Sequence, residues 1–431
     1  MLTLGVSPVF AQAPPRPERP YRGVFGGGIS NMDQTLIFNA AVGGGFSDTI
    51  RTGATATPTP NSGVLESPVT GSGPFEQLSL GLAYNLSRQR VSFFASAGSS
   101  IANYSTRSNS LVQSQSGSAG ATVQLAKKTS FSFAETISYQ PLLFSASLFG
   151  LPNQTVTQTA AVDFDAGAGL ERVLTNDLAV GLTQGLTKRM SLSFNYADGR
   201  TSSASGNRNF EMQSGGARLT VALAKGLGLR LGYGFSGGFY GTNQRFRNGV
   251  IDAGLDFNRA LSISRRMTLS FGTGFAAVTY GSQTEYTAIG NVTLTREIGR
   301  SWTTSVSYRR NLSMFNTLRA PVLYDSAMFS VNGLLSTRLA FESSAGVALG
   351  QVGAGQPGDN FRNYYGLAGV TYGMTRLMGL GVDYVYYRYN FENGVILPGG
   401  LAQWADRQTL LVSAKLWLPL LTRTRRVNVT R

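Results

Sequence analysis

The chain contains no cysteine and no histidine. The first absence excludes a disulfide framework and thiolate chemistry. The second removes the commonest general base and the commonest catalytic metal ligand. Lysine is scarce, and apart from Lys415 it is confined to short turn-like segments. No run of eighteen or more apolar residues occurs, so no transmembrane helix is expected. Charged residues make up only 14% of the chain, yet the formal net charge is +15, carried mainly by arginine. A basic balance prompts a nucleic-acid reading. Here, however, the basic residues punctuate apolar segments rather than gather on one helix or patch, and no nucleic-acid partner is expected.

What the chain does contain is one pattern repeated along nearly its whole length. Leu78, Leu80, Leu82, Tyr84 and Leu86 alternate with Ser79, Gly81, Ala83 and Asn85. The segment Ser87-Arg88-Gln89-Arg90 follows, and the alternation resumes with Val91, Phe93, Ala95 and Ala97. Later, Leu219, Val221 and Leu223 lead through Lys225-Gly226 into Leu227, Leu229, Leu231, Tyr233 and Phe235. Period two makes one face of each strand apolar and the other polar or small. Repeated as successive hairpins, it is the signature of an all-β fold, a transmembrane antiparallel up-and-down β-barrel. The mean hydropathy of -0.03 fits a wall of which only half meets lipid. The 53 glycines suit tight turns and a crowded inner wall.

Short basic turns are expected near Arg88, Lys127-Lys128, Lys188-Arg189, Lys225-Gly226, Ser264 to Arg266, Glu297 to Arg300, Thr337-Arg338 and Thr375-Arg376. Longer polar connections are expected at Arg51 to Gly73, Thr106 to Gln113, Asp198 to Arg208, Tyr240 to Arg247, Gly281 to Thr284, Asn311 to Leu323, Gln351 to Asn360 and Glu392 to Gln403. Short turns on the periplasmic side and long loops outside are the usual asymmetry. A leading strand from about Thr35 to Asp48, eight hairpins and a closing strand near Thr409 to Leu418 give about 18 strands. The stretch Pro141 to Asp177 holds a second alternating run, Val162, Phe164, Ala166, Ala168 and Leu170. It leaves barrels of roughly 16 or 20 strands open.

Face assignments follow from parity. Tyr196, Tyr233, Tyr308 and Tyr384 lie on the apolar parity, seven or eight residues beyond a basic turn. At ~3.3 Å per residue and ~40° tilt they stand roughly 20 Å up the wall, at the far edge of a ~25 Å apolar band. They are the candidate aromatic girdle. The opposite parity reads as lumen and includes Ser191, Ser193, Asn195, Gly254, Asn258, Thr303, Ser305 and Ser307. Its charged members, the pore-lining candidates, are Arg230, Arg309, Glu342, Asp383, Asp252 and Asp256. Glu135 breaks the pattern by sharing parity with Phe131, Phe133 and Ile137.

Residues 1–13, ending Ala11-Gln12-Ala13, read as a signal-peptide remnant with an A-x-A cleavage site. Residues 14–33 form a Pro-rich linker, 34–420 the barrel and 421–431 a basic tail. The tail, arginine-rich from Arg423 onward, suits anionic headgroups or a periplasmic partner.

No site for chemistry assembles. A Ser/His or Asp/His mechanism lacks its histidine. Lys415 and Ser413 share a strand face and fit a lumen wall better than a Ser-Lys site. Gly26 to Gly28 and Gly43 to Gly45 lack the lysine and strand-to-helix setting of a phosphate loop. The alternation of Asp252, Asp256 and Asn258 with Ala253, Leu255 and Phe257 describes a strand, not a calcium loop. No enzyme activity, cofactor or metal site is expected. A barrel of about 8 strands is filled by side chains, whereas one of about 16 to 18 leaves an aqueous channel. That favours a passive channel for small polar, and given the basic balance anionic, solutes. Arg230 and Arg309 would attract anions, with Glu342 and Asp383 opposing.

The whole pattern resembles the porin-like outer-membrane β-barrels of Gram-negative-type bacteria. That resemblance implies an outer-membrane location, with outer-membrane lipids and the barrel-assembly machinery as partners. Some barrels of this look accompany exopolysaccharide export, which implies an alternative role with a periplasmic export partner. A non-conducting barrel that displays its loops is a further alternative. Homo-oligomers are frequent among such barrels, and no residue here decides that state.

Overall fold

The structure is a computed structural model. It describes residues 33–48, 51–52, 72–105, 111–141, 172–203, 209–240, 244–260, 266–280, 283–299, 301–314, 321–352, 360–392 and 403–423. The signal remnant, all but the last residue of the linker, the run from Val162 to Leu170 and the tail from residue 424 lie outside them.

Every regular element among the described residues is a strand. In chain order these are β1 Gln34–Ser47, β2 Arg51–Thr52, β3 Gly73–Ser87, β4 Val91–Tyr104, β5 Leu111–Ala126, β6 Thr129–Pro141 and β7 Arg172–Gly185. Next come β8 Met190–Ser203, β9 Phe210–Ala224, β10 Leu227–Tyr240, β11 Gln244–Ala260, β12 Met267–Tyr280 and β13 Gln283–Ile298. The chain closes with β14 Trp302–Met314, β15 Pro321–Ser336, β16 Leu339–Val352, β17 Asn360–Gly373, β18 Met378–Phe391 and β19 Trp404–Arg423. From β3 to β19 each strand pairs antiparallel with its neighbour in sequence, and β1 pairs with both β3 and β19, so the sheet closes. The two-residue β2 extends the β1 edge by pairing with Ala405 and Asp406. Leaving it aside, nineteen elements become an 18-stranded wall. The alternatives of 16 and 20 fall away because β6 pairs directly with β7 and the described strands close on one another.

All eight expected basic segments connect adjacent hairpin strands. Their local chemistry explains the tightness. Thr187 Oγ1 accepts the backbone N–H groups of Arg189 and Met190, both at 3.1 Å. Thr375 Oγ1 does the same for Leu377 and Met378, at 3.1 and 3.0 Å. These hydroxyl turns replace ladder bonds that the bend removes. Gly226 sits at φ 81°, where a side chain would be strained.

The other end differs from expectation. Several strands continue into segments expected as loops: β5 starts at Leu111, β8 reaches Ser203, β11 starts at Gln244, β14 reaches Met314 and β15 starts at Pro321. The hydrophobic alternation fades there because the wall has left the apolar band, whereas the backbone ladder needs no apolar side chain. The closing strand also outruns its expected end. Pro419 pairs with Ile37, a register shift lets Leu420 bulge, and Leu421 to Arg423 pair with Leu36 to Gln34. A bulge is one of the few places a strand tolerates proline, so the wall strand continues past residue 420 to Arg423.

Candidate functional site: the lumen wall

Burial separates the two faces as parity requires. Leu78, Leu80 and Leu82 are exposed while Gln77, Ser79 and Gly81 are buried. Tyr196, Tyr233, Tyr308 and Tyr384 all stand exposed on the outer face. Tyr308 donates its hydroxyl to Asp325, which also pairs with Arg310 at 3.2 Å. Glu135 is also outward, beside exposed Ile137 and Tyr139, and accepts a hydrogen bond from Asn176 Nδ2 at 3.5 Å. Asn176 belongs to the outer face of β7, between exposed Leu174 and Leu182. The exception is therefore a polar pair within the lipid-facing wall.

Inside, antiparallel register assembles the polar residues into rows that cross the strands. One row runs Asp256 to Gly272, Gly272 to Asn291, Asn291 to Arg309 and Arg309 to Ser326. Arg230 joins it from β10. Its Nη1 bonds Asp256 Oδ1, and its Nη2 donates to the Thr273 carbonyl at 2.6 Å. The two side chains are only 13% and 7% exposed. That carbonyl is available because the β11–β12 pairing is irregular between Gly249 and Asp256. Gly254 permits the distortion, since a Cβ there would lie 1.6 Å from the Thr273 oxygen. Arg230 and Asp256, expected as separate wall charges, are thus a neutralised pair.

A second row runs Glu342 to Gly369 to Asp383 to Leu411. Gly369 leaves the gap over which the two carboxylates meet; a Cβ there would fall 2.5 Å from Asp383 Oδ1 and 3.2 Å from Glu342 Cγ. Lys415 Nζ reaches Asp383 Oδ2 and Thr371 Oγ1, each at 3.3 Å. Asp383, 1% exposed, is therefore anchored by a cation rather than left as an opposing charge in open water. The Asp252 side chain lies outside the described residues; its backbone pairs with Gly232.

Parity also marks lumen charges that the sequence reasoning passed over. Arg218 stands opposite Gly232 on the inward row of β9, and Asp177 is inward on β7 beside buried Val173. Arg407 is buried on β19. Its Nε donates to Ser47 Oγ and its Nη2 to the Tyr104 hydroxyl, both at 2.9 Å, and its guanidinium lies 5.5 Å from the Tyr104 ring centre. The alternation around these residues was signal enough for Arg218 and Asp177. Arg407 follows Ala405 on a strand end without clear periodicity. With these additions the inner wall carries both signs in near balance, and the chain's positive surplus lies elsewhere.

The inner wall has two distinct arcs. From β15 through β19, β1, β3 and β4, its loop-end half is buried. Tyr324, Phe361, Asn363, Tyr387, Tyr389 and Phe391 are essentially inaccessible to water. Phe75 and Tyr104 stack there with ring centres 5.3 Å apart. From β5 to β14 many inward residues are serine, threonine or asparagine that remain partly accessible, among them Ser116, Ser193, Asn195, Asn258, Asn291, Thr303 and Ser307, although Val173, Ala197, Thr201, Phe210 and Ser214 on β7 to β9 are buried. Arg218, the Arg230–Asp256 pair and Arg309 belong to this accessible arc; Glu342, Asp383, Lys415 and Arg407 belong to the other.

A closed wall with an apolar outer face and a polar inner one is stable only across a bilayer, where closure leaves no unpaired edge. The chain is a transmembrane β-barrel of the outer-membrane type. No protein-family model matches it, and no curated protein is similar to it in sequence. Among solved structures, it is similar to OpdQ of Pseudomonas aeruginosa, at 11% identity over 90% of this chain and 98% of that one, with a TM-score of 0.45. It is also similar to OccK2 (OpdF) of the same organism, solved in complex with glucuronate, at 10% identity over 90% and 99% of the two chains, with a TM-score of 0.45. The FrpB iron transporter of Neisseria meningitidis gives 8% identity over 90% and 82%, with a TM-score of 0.43.

Proposed function

We propose that this protein is a passive outer-membrane channel for small polar solutes, with no chemical step. The supporting observation is the set of partly accessible hydroxyl and amide side chains on the inner face of β5 to β14, inside a wall too wide for its side chains to fill. Solutes would exchange water for wall hydroxyls, and wall charges would bias their passage. On this arc Arg309 would favour anions, whereas Arg230 is already neutralised by Asp256.

The test is conductance of the refolded protein in a planar bilayer, with reversal potential in a salt gradient. Stable, step-like openings are expected, and Arg309→Ala should move the reversal potential away from anion preference. A correctly folded, heat-modifiable barrel that stays silent would sink the channel. It would favour the second reading, a barrel closed at rest, which the buried aromatic arc supports.

A further inference from the structure

The positive surplus is concentrated at one rim. The eight tight connections, residues 87–90, 126–128, 186–189, 224–226, 261–266, 298–301, 336–338 and 373–377, contain twelve lysines and arginines and no acidic residue. In the sequence, the segments joining the remaining strand pairs contain seven acidic residues, Asp48, Glu66, Asp163, Asp165, Glu171, Asp359 and Glu392, against four basic ones, Arg51, Arg107, Arg208 and Arg319. The sign difference is therefore built into the two sets of connecting segments.

The cations also stand in a fixed relation to the lipid-facing wall. Exposed Leu125 precedes Lys127, exposed Leu186 precedes Lys188, exposed Leu223 precedes Lys225 and exposed Met374 precedes Arg376, each by two residues. Leu86 precedes Arg88 in the same way, and exposed Leu335 precedes Arg338 by three. Each unit puts an aliphatic side chain at the edge of the apolar band and a long cationic one just beyond it, where a flexible stem lets the charge reach the headgroup layer. Arg88, Lys127, Lys128, Lys188, Arg189, Lys225, Arg338 and Arg376 are all exposed.

We infer that the turn-end rim is a binding collar for anionic phospholipid headgroups. Two observations favour lipid over a soluble polymer or a periplasmic protein. The cations follow outward aliphatic residues rather than inward polar ones. They also occur at every tight connection, and a partner protein would engage one sector whereas a leaflet surrounds the whole circumference. A phosphodiester beside two or three such groups gains charge-assisted contacts that a zwitterionic headgroup, carrying its own cation, does not.

Trp302 offers a reporter at this rim. It opens β14 beside the turn at Gly299, and its ring lies 6.0 Å from that of Phe341. Arg266 reaches the same turn, its Nη1 donating to the Gly299 carbonyl at 3.2 Å. In full-length protein carrying W404F and W417F, quenching of Trp302 by brominated phosphatidylglycerol would be compared with quenching by brominated phosphatidylcholine, at equal mole fraction and low salt. Preference for the anionic lipid by about fivefold in relative association is expected, since one favourably placed cation is worth about that factor. Arg296, exposed near the end of β13 and paired with Met267, adds a cation beside the same turn. The variant R266Q/R296Q/R338Q, checked for folding by heat-modifiable mobility, should bring the two lipids close to parity. Equal quenching in the parent, or a preference unchanged in the triple variant, would overturn the collar. Parity between the lipids together with binding of a soluble acidic polysaccharide would overturn it too, and would assign the rim to a polymer.

Discussion

Asp256→Asn should unmask a single positive charge on the accessible arc. Asparagine keeps the size of aspartate and an oxygen that can accept from Arg230, whose second bond to the Thr273 carbonyl is untouched. The wall geometry should therefore persist while Arg230 loses its counter-charge. For a permeant anion passing about 5 Å from the guanidinium in water, the added attraction is about 0.8 kcal/mol. That is about a fourfold gain in local anion concentration. At 0.1 M salt, screening over a length of about 10 Å reduces it to about twofold. The assay is reversal potential across a planar bilayer in a tenfold salt gradient, at two ionic strengths. The variant should shift toward anion selectivity, more at low salt than at high. A shift toward cations, or none at low salt in a conducting variant, would refute the neutralised-pair account of Arg230.

Lys415→Met would leave Asp383, almost fully buried, without its cation, and should lower unfolding stability in lipid vesicles by about 3 to 5 kcal/mol. K415M/D383L should recover most of that loss in the same urea titration. Gly254→Ala should cost about 2 kcal/mol or more, because its new methyl meets the Thr273 carbonyl and evicts the oxygen that Arg230 uses; an unchanged urea midpoint would contradict the ladder distortion. Arg407→Met removes charge-assisted bonds to Ser47 and Tyr104 and should cost about 2 kcal/mol. Pressure on that site can be checked by whether Y104F in the R407M background adds little further loss.

Architecture was legible in the sequence because a barrel wall is governed by period two, which one chain displays without help from any partner. Leu78 to Leu86 and Leu227 to Phe235 assign their own faces, and the basic turns mark the reversals. The chemistry of the lumen was less legible because it depends on register. Nothing local to Arg230 announces Asp256, 26 residues away on the next strand, or the carbonyl of Thr273 beyond it. Lys415 likewise looks like an isolated lumen lysine until β18 and β19 are aligned and Asp383 comes into reach. The buried aromatic arc was hidden for a related reason. Tyr387, Tyr389 and Phe391 occupy the inward parity of β18, where alternation alone predicts contact with water. The closing strand was underestimated: it was expected to end near Leu418, and a one-residue bulge after Pro419 carries it further.

Net charge was the feature most open to misreading, and locating it yields a test that separates the two parts of the molecule. A surplus of +15 suggested an anion-attracting lumen, yet the inner wall is nearly balanced and the surplus cations ring the turn-end rim. At physiological salt a charge is screened beyond about 8 Å, so cations directed outward into a headgroup layer should have little influence on an ion in the middle of a wide lumen. R266Q/R296Q/R338Q should therefore change lipid preference and leave reversal potential within experimental scatter. D256N should do the reverse, shifting reversal potential without altering Trp302 quenching. If the rim variant moved the reversal potential as far as D256N does, the collar cations would have to face the pore mouth, and selectivity would be an entry effect rather than a property of the wall.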